Sequence, residues 1–186
     1  MTTAAVVLAA GAGSRFSGPR HKLLTVLGGQ PVVAWSVGSA LAAGLDETIV
    51  VQGAVSLAAE LPPTVTVLDN PDWAGGLATS LRVAVDHAVA RAHEAIVVGL
   101  GDQPGVTVDA WRTVAAAVDA PIAVACYGGR RGHPVRLASA VFGLLPSSGD
   151  SGARELMRLR PDLVREIPFD GEPGDIDRME DLGQWS

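Results

Sequence analysis

One short stretch of this chain joins glycines to two bases, residue types that together can hold an anion. Leu8-Ala9-Ala10-Gly11-Ala12-Gly13-Ser14-Arg15-Phe16 leaves an apolar run through glycines, and Lys22 follows soon after. Glycine tolerates dihedrals that other residues avoid and lets a ligand approach the backbone, so such a bend can aim N–H groups at an anion. Arg15 offers a planar fork of donors and Lys22 a compact point charge. Lys22 is the only lysine in a chain with thirteen arginines. A compact ammonium fits between phosphate oxygens where a guanidinium fork does not. Two familiar loops fail on residues. The dinucleotide fingerprint needs glycine where Phe16 stands, and the P-loop, registered on Gly13 and Gly18, meets Pro19 in place of its lysine. A plain tight turn with exposed bases stays open as the bland reading.

Acidic residues supply the complement. Asp102 lies in Gly99-Leu100-Gly101-Asp102-Gln103-Pro104, after an apolar run. A carboxylate at a strand's carboxyl end suits Mg²⁺, which takes one or two carboxylates plus substrate phosphates and water; it equally suits capping a turn before Pro104. Asp175-Ile176-Asp177 sets two acids two apart, which in extended chain share a face. One of them, Asp177 in preference, completes a metal site, or the pair belongs to a solvated acidic tail with a cap for a last helix. No Ser-His-Asp or Cys-His arrangement is evident. His21, His87 and His93 read as structural or surface residues. Trp35, Trp73, Trp111 and Trp185 read as core or lid residues.

These residues need elements to carry them. Strands are expected over Thr3–Ala9, Thr48–Gln52, Val65–Leu68, Ala95–Leu100, Ile122–Tyr127 and Leu163–Ile167. Helices are expected over Pro31–Gly44, Leu77–His93, Thr107–Val118, Arg136–Leu144, Ser151–Leu159 and from Arg178 onward. Gly128–Pro134 is read as irregular. Almost wholly apolar strands alternating with helices imply a mostly parallel sheet covered on both faces. Ligands then sit at the carboxyl ends of the strands, which brings the loops after Ala9, Leu68, Leu100 and Tyr127 to one edge.

Composition excludes several classes. Over 186 residues, 48% are apolar and 18% charged, and mean hydropathy is +0.29. A disordered chain needs the opposite balance. The length suits one domain, residues 1–186, with a core that needs no disulfide staple. The sole cysteine, Cys126, cannot pair internally, so a reducing cytoplasm is the expected setting. The longest uncharged stretch, Leu23–Leu45, is broken by Gly28-Gly29-Gln30-Pro31 and reads as two elements around a turn rather than a membrane span. No basic n-region or lipidation motif is expected to direct the chain to a membrane. A net charge of −6 argues against nucleic acid as a partner. Residues 1–45 nonetheless hold no acid, whereas the stretch from Glu166 to Asp181 holds seven acids and one base. That asymmetry marks the first segment for a local anion.

The glycine-rich loop with Lys22 resembles the signature of the MobA-like nucleotidyltransferases, and within them the molybdenum cofactor cytidylyltransferases. The likeness continues in order through Asn70 to Ser80, Gly101 to Pro104, Gly132 to Val135, Gly149 to Arg154, and Asp175 to Asp177 followed by Glu180 and Asp181. It implies a Rossmann-like, three-layer α/β fold of the nucleotide-diphospho-sugar-transferase type. It implies that Leu8, Ala9, Ala10, Gly11, Gly13, Ser14, Arg15 and Lys22 surround a nucleotide, with Gly76 and Ser80 beside its base and ribose. Arg15, Lys22 and Asp102 would be catalytic, Asp102 and Asp177 would hold Mg²⁺, and His133, Asp150 and Arg154 would face the acceptor. For Gly76 and Ser80 ordinary helix capping is the competing reading, and for His133 a plain surface-loop histidine. The family usually carries a Thr-Pro pair after the second metal-side acid, where this chain has Arg178 and Met179. The implied reaction moves CMP from CTP to the phosphate of molybdopterin-bound molybdenum cofactor, destined for a recipient molybdoenzyme. The cytidine assignment follows from Ala10, where guanylyltransferases tend to read glycine. Transfer to a sugar phosphate, a guanylyl-transfer variant, or non-catalytic carriage of the cofactor are the alternatives.

Overall fold

The computed structural model describes residues 1–185, and side chains as far as Gly183; the expectation for Trp185 lies outside them. Nine strands are described: β1 Thr3–Ala9, β2 Val26–Leu27, β3 Gln30–Pro31, β4 Glu47–Gln52, β5 Thr66–Asp69, β6 Ala95–Leu100, β7 Ile122–Tyr127, β8 Arg130–Ala138 and β9 Val164–Phe169. Four α-helices accompany them: α1 Val32–Ala43, α2 Leu77–Ala90, α3 Val108–Ala116 and α4 Ala153–Leu159. Seven strands form one sheet in the order β5-β4-β1-β6-β8-β7-β9, and β2 and β3 form a small hairpin. Only β8 runs antiparallel in the large sheet.

The central strands are apolar at every position because both faces are covered. On β1, Ala5, Val7 and Ala9 join the core beneath α1 and α3, while Ala4, Val6 and Leu8 join the core beneath α2 and α4. The result is the expected three-layer, mostly parallel α/β fold. Trp111 of α3 is 1% exposed and anchors the first core. Trp35 departs from expectation: it is 40% exposed, held by its Nε1 donating to Leu27 O at 2.8 Å. Among the described residues no helix is long and apolar enough to cross a membrane.

Helix ends follow local chemistry. Thr107 caps α3 by accepting from Ala110 N at 3.1 Å. Gly44 closes α1 in the left-handed region, and Arg112 donates to the spent carbonyls of Ala42 and Ala43. Ser36, buried in α1, donates to Gly101 O at 3.1 Å and ties that helix to the loop after β6.

The helix expected over Arg136–Leu144 is not formed as such, and Gly128–Pro134 is not irregular. Gly128 and Gly129, both at positive φ, make a two-residue turn that sends the chain back as β8, and a 3₁₀ segment, Ser139–Leu144, follows. Paired positive φ is what a tight hairpin with natural twist requires. The register between β7 and β8 slips between Val124 and Cys126, so Gly132, His133 and Pro134 bulge out of the ladder. A proline cannot donate to a ladder, which explains its place there.

At the opposite edge from these loops, Glu47 gathers three donors: Thr66 Oγ1 at 2.7 Å, His87 Nε2 at 3.0 Å and His93 Nε2 at 2.8 Å. Burial opposes its charge, but the hydrogen bonds from His93, Thr66 and His87 outweigh that and bring the carboxyl from 4.5 down to about 2. A depressed carboxylate stabilises the fold above its unfolded pKa and loses that contribution as pH falls towards the folded one. Glu47→Gln is therefore expected to cost about 1–3 kcal/mol at neutral pH without altering activity. By thermal unfolding, the gap from the wild type should close as pH drops from 4.5 towards 2.

Candidate active site

The carboxyl ends of β1, β5 and β6 enclose a cleft of about 510 Å³. It lies where the chain, having laid β4 and β5 to one side of β1, returns to place β6 on the other, the position where open α/β sheets bind ligands. Leu8, Ala9 and Ala10 form a buried floor. The loop above it turns at Gly13, whose φ is +63° and where a Cβ would stand 3.1 Å from Lys22 Cγ. A side chain there would be strained and would crowd the lysine stem. Among the described residues, the N–H groups of Gly11, Ala12, Gly13, Ser14 and Arg15 donate to no partner. His21 braces the loop from outside. Its Nε2 donates to Gly11 O at 3.0 Å and its Nδ1 accepts from Leu23 N at 3.3 Å, an arrangement that needs the neutral ring. Burial pushes its pKa down, in keeping with that tautomer.

Lys22 points into the cleft with 12% of its side chain exposed. Its Nζ lies 2.5 Å from Asp102 Oδ2 and 3.4 Å from Asp177 Oδ1, and Arg15 Nη1 meets Asp177 Oδ2 at 2.9 Å. Residues 80 and 155 positions from Lys22 in sequence thus meet on one ammonium. The backbone makes this possible. Gly101 N donates to Leu8 O at 2.9 Å, setting the loop after β6 beside β1, and Ile176 N donates to Asp102 O at 3.0 Å, strapping the segment of Asp177 across it.

Asp175 does not share Asp177's face. The segment is irregular, Ile176 is fully buried between the two acids, and Gln103 Nε2 draws Asp175 Oδ1 to 2.5 Å on the other side. The strand-like alternation that would pair the acids is absent, so Asp177 lines the first cleft and Asp175 a second.

The start of α2 completes the first cleft. Gly76 has φ +98°, and a Cβ there would come within 2.6 Å of Gly149 O and Asp150 Oδ1. Ala78 N donates to Gly149 O at 2.9 Å, so a distant loop caps the helix. Capping and cleft lining coexist here: Gly76, Leu77 and Ser80 face the cavity, and buried Asn70 donates to Ser80 Oγ at 2.9 Å.

The second cleft, about 860 Å³, shares Leu8, Leu77 and Leu100 with the first and extends over β6, β7 and β8. His133 and Arg154 line it, whereas Asp150 lines the first cleft. Arg154 has no carboxylate partner among the described residues. Burial pushes the His133 imidazole down to about 4, against the pull of Asp175, so the ring is neutral at pH 7. At the rim Arg130 pairs with Glu172 and Arg131 with Glu166, each at 2.7 Å. Trp73, expected as a core or lid residue, lines the first cleft, and Ala74, Gln103 and Tyr127, which the sequence does not single out, also line the two clefts. Trp73 and Gln103 lie inside the motifs quoted above, and the signal for both was a large or polar side chain beside a strand's carboxyl end.

Asp102 and Asp177 also pass a test as a metal site. Their oxygens converge on one cation, and among the described residues no third acid or histidine clusters with them, a donor set that suits Mg²⁺, which takes its remaining ligands from phosphates and water.

A glycine-rich loop and paired acids thus meet at the switch point of this sheet. The chain belongs to the MobA-like NTP transferase domain family, whose sequence pattern matches residues 5–166. The purine catabolism protein PucB of Bacillus subtilis is 29% identical, over 95% of this chain and 92% of its own. The Rv0371c protein of Mycobacterium tuberculosis superposes with TM-score 0.82 at 31% identity, covering 99% of this chain and 97% of its own. A structure of that protein in complex with manganese agrees equally well, with TM-score 0.82. A nucleotidyl transferase from Methanothermobacter thermautotrophicus gives TM-score 0.83 at 26% identity, covering 98% and 95% of the two chains.

Proposed function

We propose that this protein transfers CMP from CTP to the phosphate of molybdopterin-bound molybdenum cofactor and releases pyrophosphate. The observation that carries the reading is the meeting of Lys22, Asp102, Asp177 and Arg15 beneath a loop whose N–H groups lack partners. Partnerless donors and two cations suit a triphosphate. In this reading Leu8, Ala9, Ala10, Gly11, Gly13 and Ser14 bound the nucleotide, and Gly76 and Ser80 border its base and ribose. The choice of CTP rests on Ala10, where the related guanylyltransferases tend to carry glycine. Asp102 and Asp177 would hold Mg²⁺, which would supply charge neutralisation to the triphosphate.

The acceptor enters through the second cleft, its phosphate drawn by Arg154 and offered a neutral hydrogen bond by His133. Asp150 stands at the border of the two substrates. A phosphate monoester has its second pKa at about 6, so it is already mostly dianionic and needs no general base. One of its oxygens attacks the α-phosphorus. The bond from that phosphorus to the bridging oxygen breaks, and pyrophosphate departs with the electron pair. The protein's work is to bring two anions together. Arg15 and Lys22 do so with fixed charges, and the loop N–H groups with fixed dipoles.

We take residues 1–186 to be one cytoplasmic transferase domain delivering its product to a molybdoenzyme; the sole cysteine, Cys126, buried and unpaired, supports a reducing setting. The test is pyrophosphate release with each of the four nucleoside triphosphates, with and without molybdenum cofactor and Mg²⁺. Release is expected only with CTP, cofactor and metal together. Equal turnover with a sugar 1-phosphate or with GTP would overturn the substrate assignment. Delivery of cofactor without any pyrophosphate release would mark a carrier.

A further inference from the structure

Asp177 reaches the first cleft on a strap that has no secondary structure of its own. Residues 172–177 belong to neither helix nor strand, yet they deliver the Asp177 carboxylate to within 3.4 Å of the Lys22 ammonium. Lys22 and Arg15 hold that carboxylate from the front. A divalent ion competes with both cations for the same oxygens. Whatever keeps Asp177 in place once the ion has displaced them must act from behind.

Two consecutive loop residues stand there. The backbone oxygen of Asp102 accepts from Ile176 N at 3.0 Å. Gln103 donates from Nε2 to Asp175 Oδ1 at 2.5 Å, on the far side of Ile176. A flipped amide would set oxygen against oxygen, so the sense of that bond is fixed. Gln103 is itself a rigid arm. It is 5% exposed, its N donates to Leu100 O, and its carbonyl accepts from Val106 N. Pro173 and Ile176 are buried and anchor the strap along its axis. Anchors on the axis do not stop the strap from rolling. The grip on Asp175 does, because the two acids flank Ile176 on opposite sides and one cannot swing without the other. The ion pair of Arg130 with Glu172, further up the strap, is largely exposed and contributes little.

We propose that Gln103 is a positioning residue: through Asp175 it sets the roll of the strap and so holds Asp177 ready for a divalent ion. This rests on the reading of Asp102 and Asp177 as the metal pair. In that arrangement Gln103 touches neither metal nor substrate. Each member of the Asp102-Gln103 pair holds its own part of the strap, one the backbone and the other a side chain.

The probe is Mn²⁺ alone, titrated into nucleotide-free protein and followed by paramagnetic resonance, with Asp177→Asn as the reference for a lost ligand. Gln103→Leu removes the donor and Asp175→Ala the acceptor. Each should weaken Mn²⁺ binding about tenfold, as for a lost hydrogen bond to a charged group, and the double change should be no worse than either alone. Asp175→Asn keeps an acceptor oxygen and should stay within about threefold of the wild type. Asp175 is exposed, so Asp175→Ala carries the test by itself if Gln103→Leu does not fold. Binding of inorganic triphosphate in EDTA should be no weaker in these variants, because the glycine-rich loop, Lys22 and Arg15 stand on another segment. If Asp175→Ala binds Mn²⁺ as the wild type does while Asp177→Asn does not, the positioning role falls and the metal pair stands. If Asp177→Asn also binds as the wild type does, or the wild type takes no Mn²⁺ at millimolar concentration, the metal reading falls and the proposal with it. Parallel loss of Mn²⁺ and triphosphate binding marks a general collapse of this edge and likewise overturns the proposal.

Discussion

Asp102→Asn is expected to lower kcat/KM by about a thousandfold or more while the protein stays folded. The change is nearly isosteric, and Asp102's backbone role, accepting from Ile176 N, survives it. What disappears is one of two carboxylates that meet on Lys22 and that together suit a divalent cation. Charge neutralisation at a transferring phosphoryl group is worth several kcal/mol, and about 4 kcal/mol corresponds to that loss in rate. Steady-state pyrophosphate release reads the loss, and circular dichroism with thermal unfolding reads the fold. Activity within tenfold of the wild type would remove Asp102 from the metal site and return it to the role of a turn cap.

The second large effect is at Lys22, and it has two signs. Lys22→Met should lower kcat/KM about a hundredfold or more, because no other compact cation faces the cleft. Lys22→Arg should not restore activity. The lysine stem runs 3.1 Å from where a Cβ on Gly13 would stand, with its side chain 12% exposed, and a planar fork does not fit that slot. The same Lys22→Met change should tighten binding of Mn²⁺ alone. The ammonium lies against both carboxylates and competes with a divalent ion for them; without it, two neighbouring negative charges attract the ion unopposed. Titration of nucleotide-free protein followed by Mn²⁺ paramagnetic resonance separates the effects. Weaker Mn²⁺ binding in Lys22→Met would show that the lysine supports the acidic pair and does not compete for it.

Much of this site is legible in the chain because its residues sit where strands end. An apolar run followed by glycines gives β1 and its loop; a second run, then Asp102, gives the acid opposite. Both are local patterns, and the sheet brings strand ends together without further instruction. What is not legible depends on contacts between distant segments. The helix expected over Arg136–Leu144 is strand and 3₁₀ turn, because the Gly128-Gly129 hairpin pairs an arginine-rich strand between β6 and β7, and a polar, proline-bearing segment carries no alternation to reveal it. Asp175 and Asp177 part company because Gln103 and Lys22 draw them to opposite sides of buried Ile176. Asp150 lines the first cleft because Gly149 caps α2, a tie across more than seventy positions that spacing does not announce.

In the working enzyme a divalent ion and a triphosphate should take over the contacts that Lys22 and the two acids make with one another. A crystal soaked with Mn²⁺ and a non-hydrolysable CTP analogue, measured at the manganese absorption edge, addresses this directly. The expected result is an anomalous peak between Asp102 and Asp177, with Lys22 turned onto phosphate oxygens. A peak elsewhere, with Lys22 still bridging the two carboxylates, would contradict it.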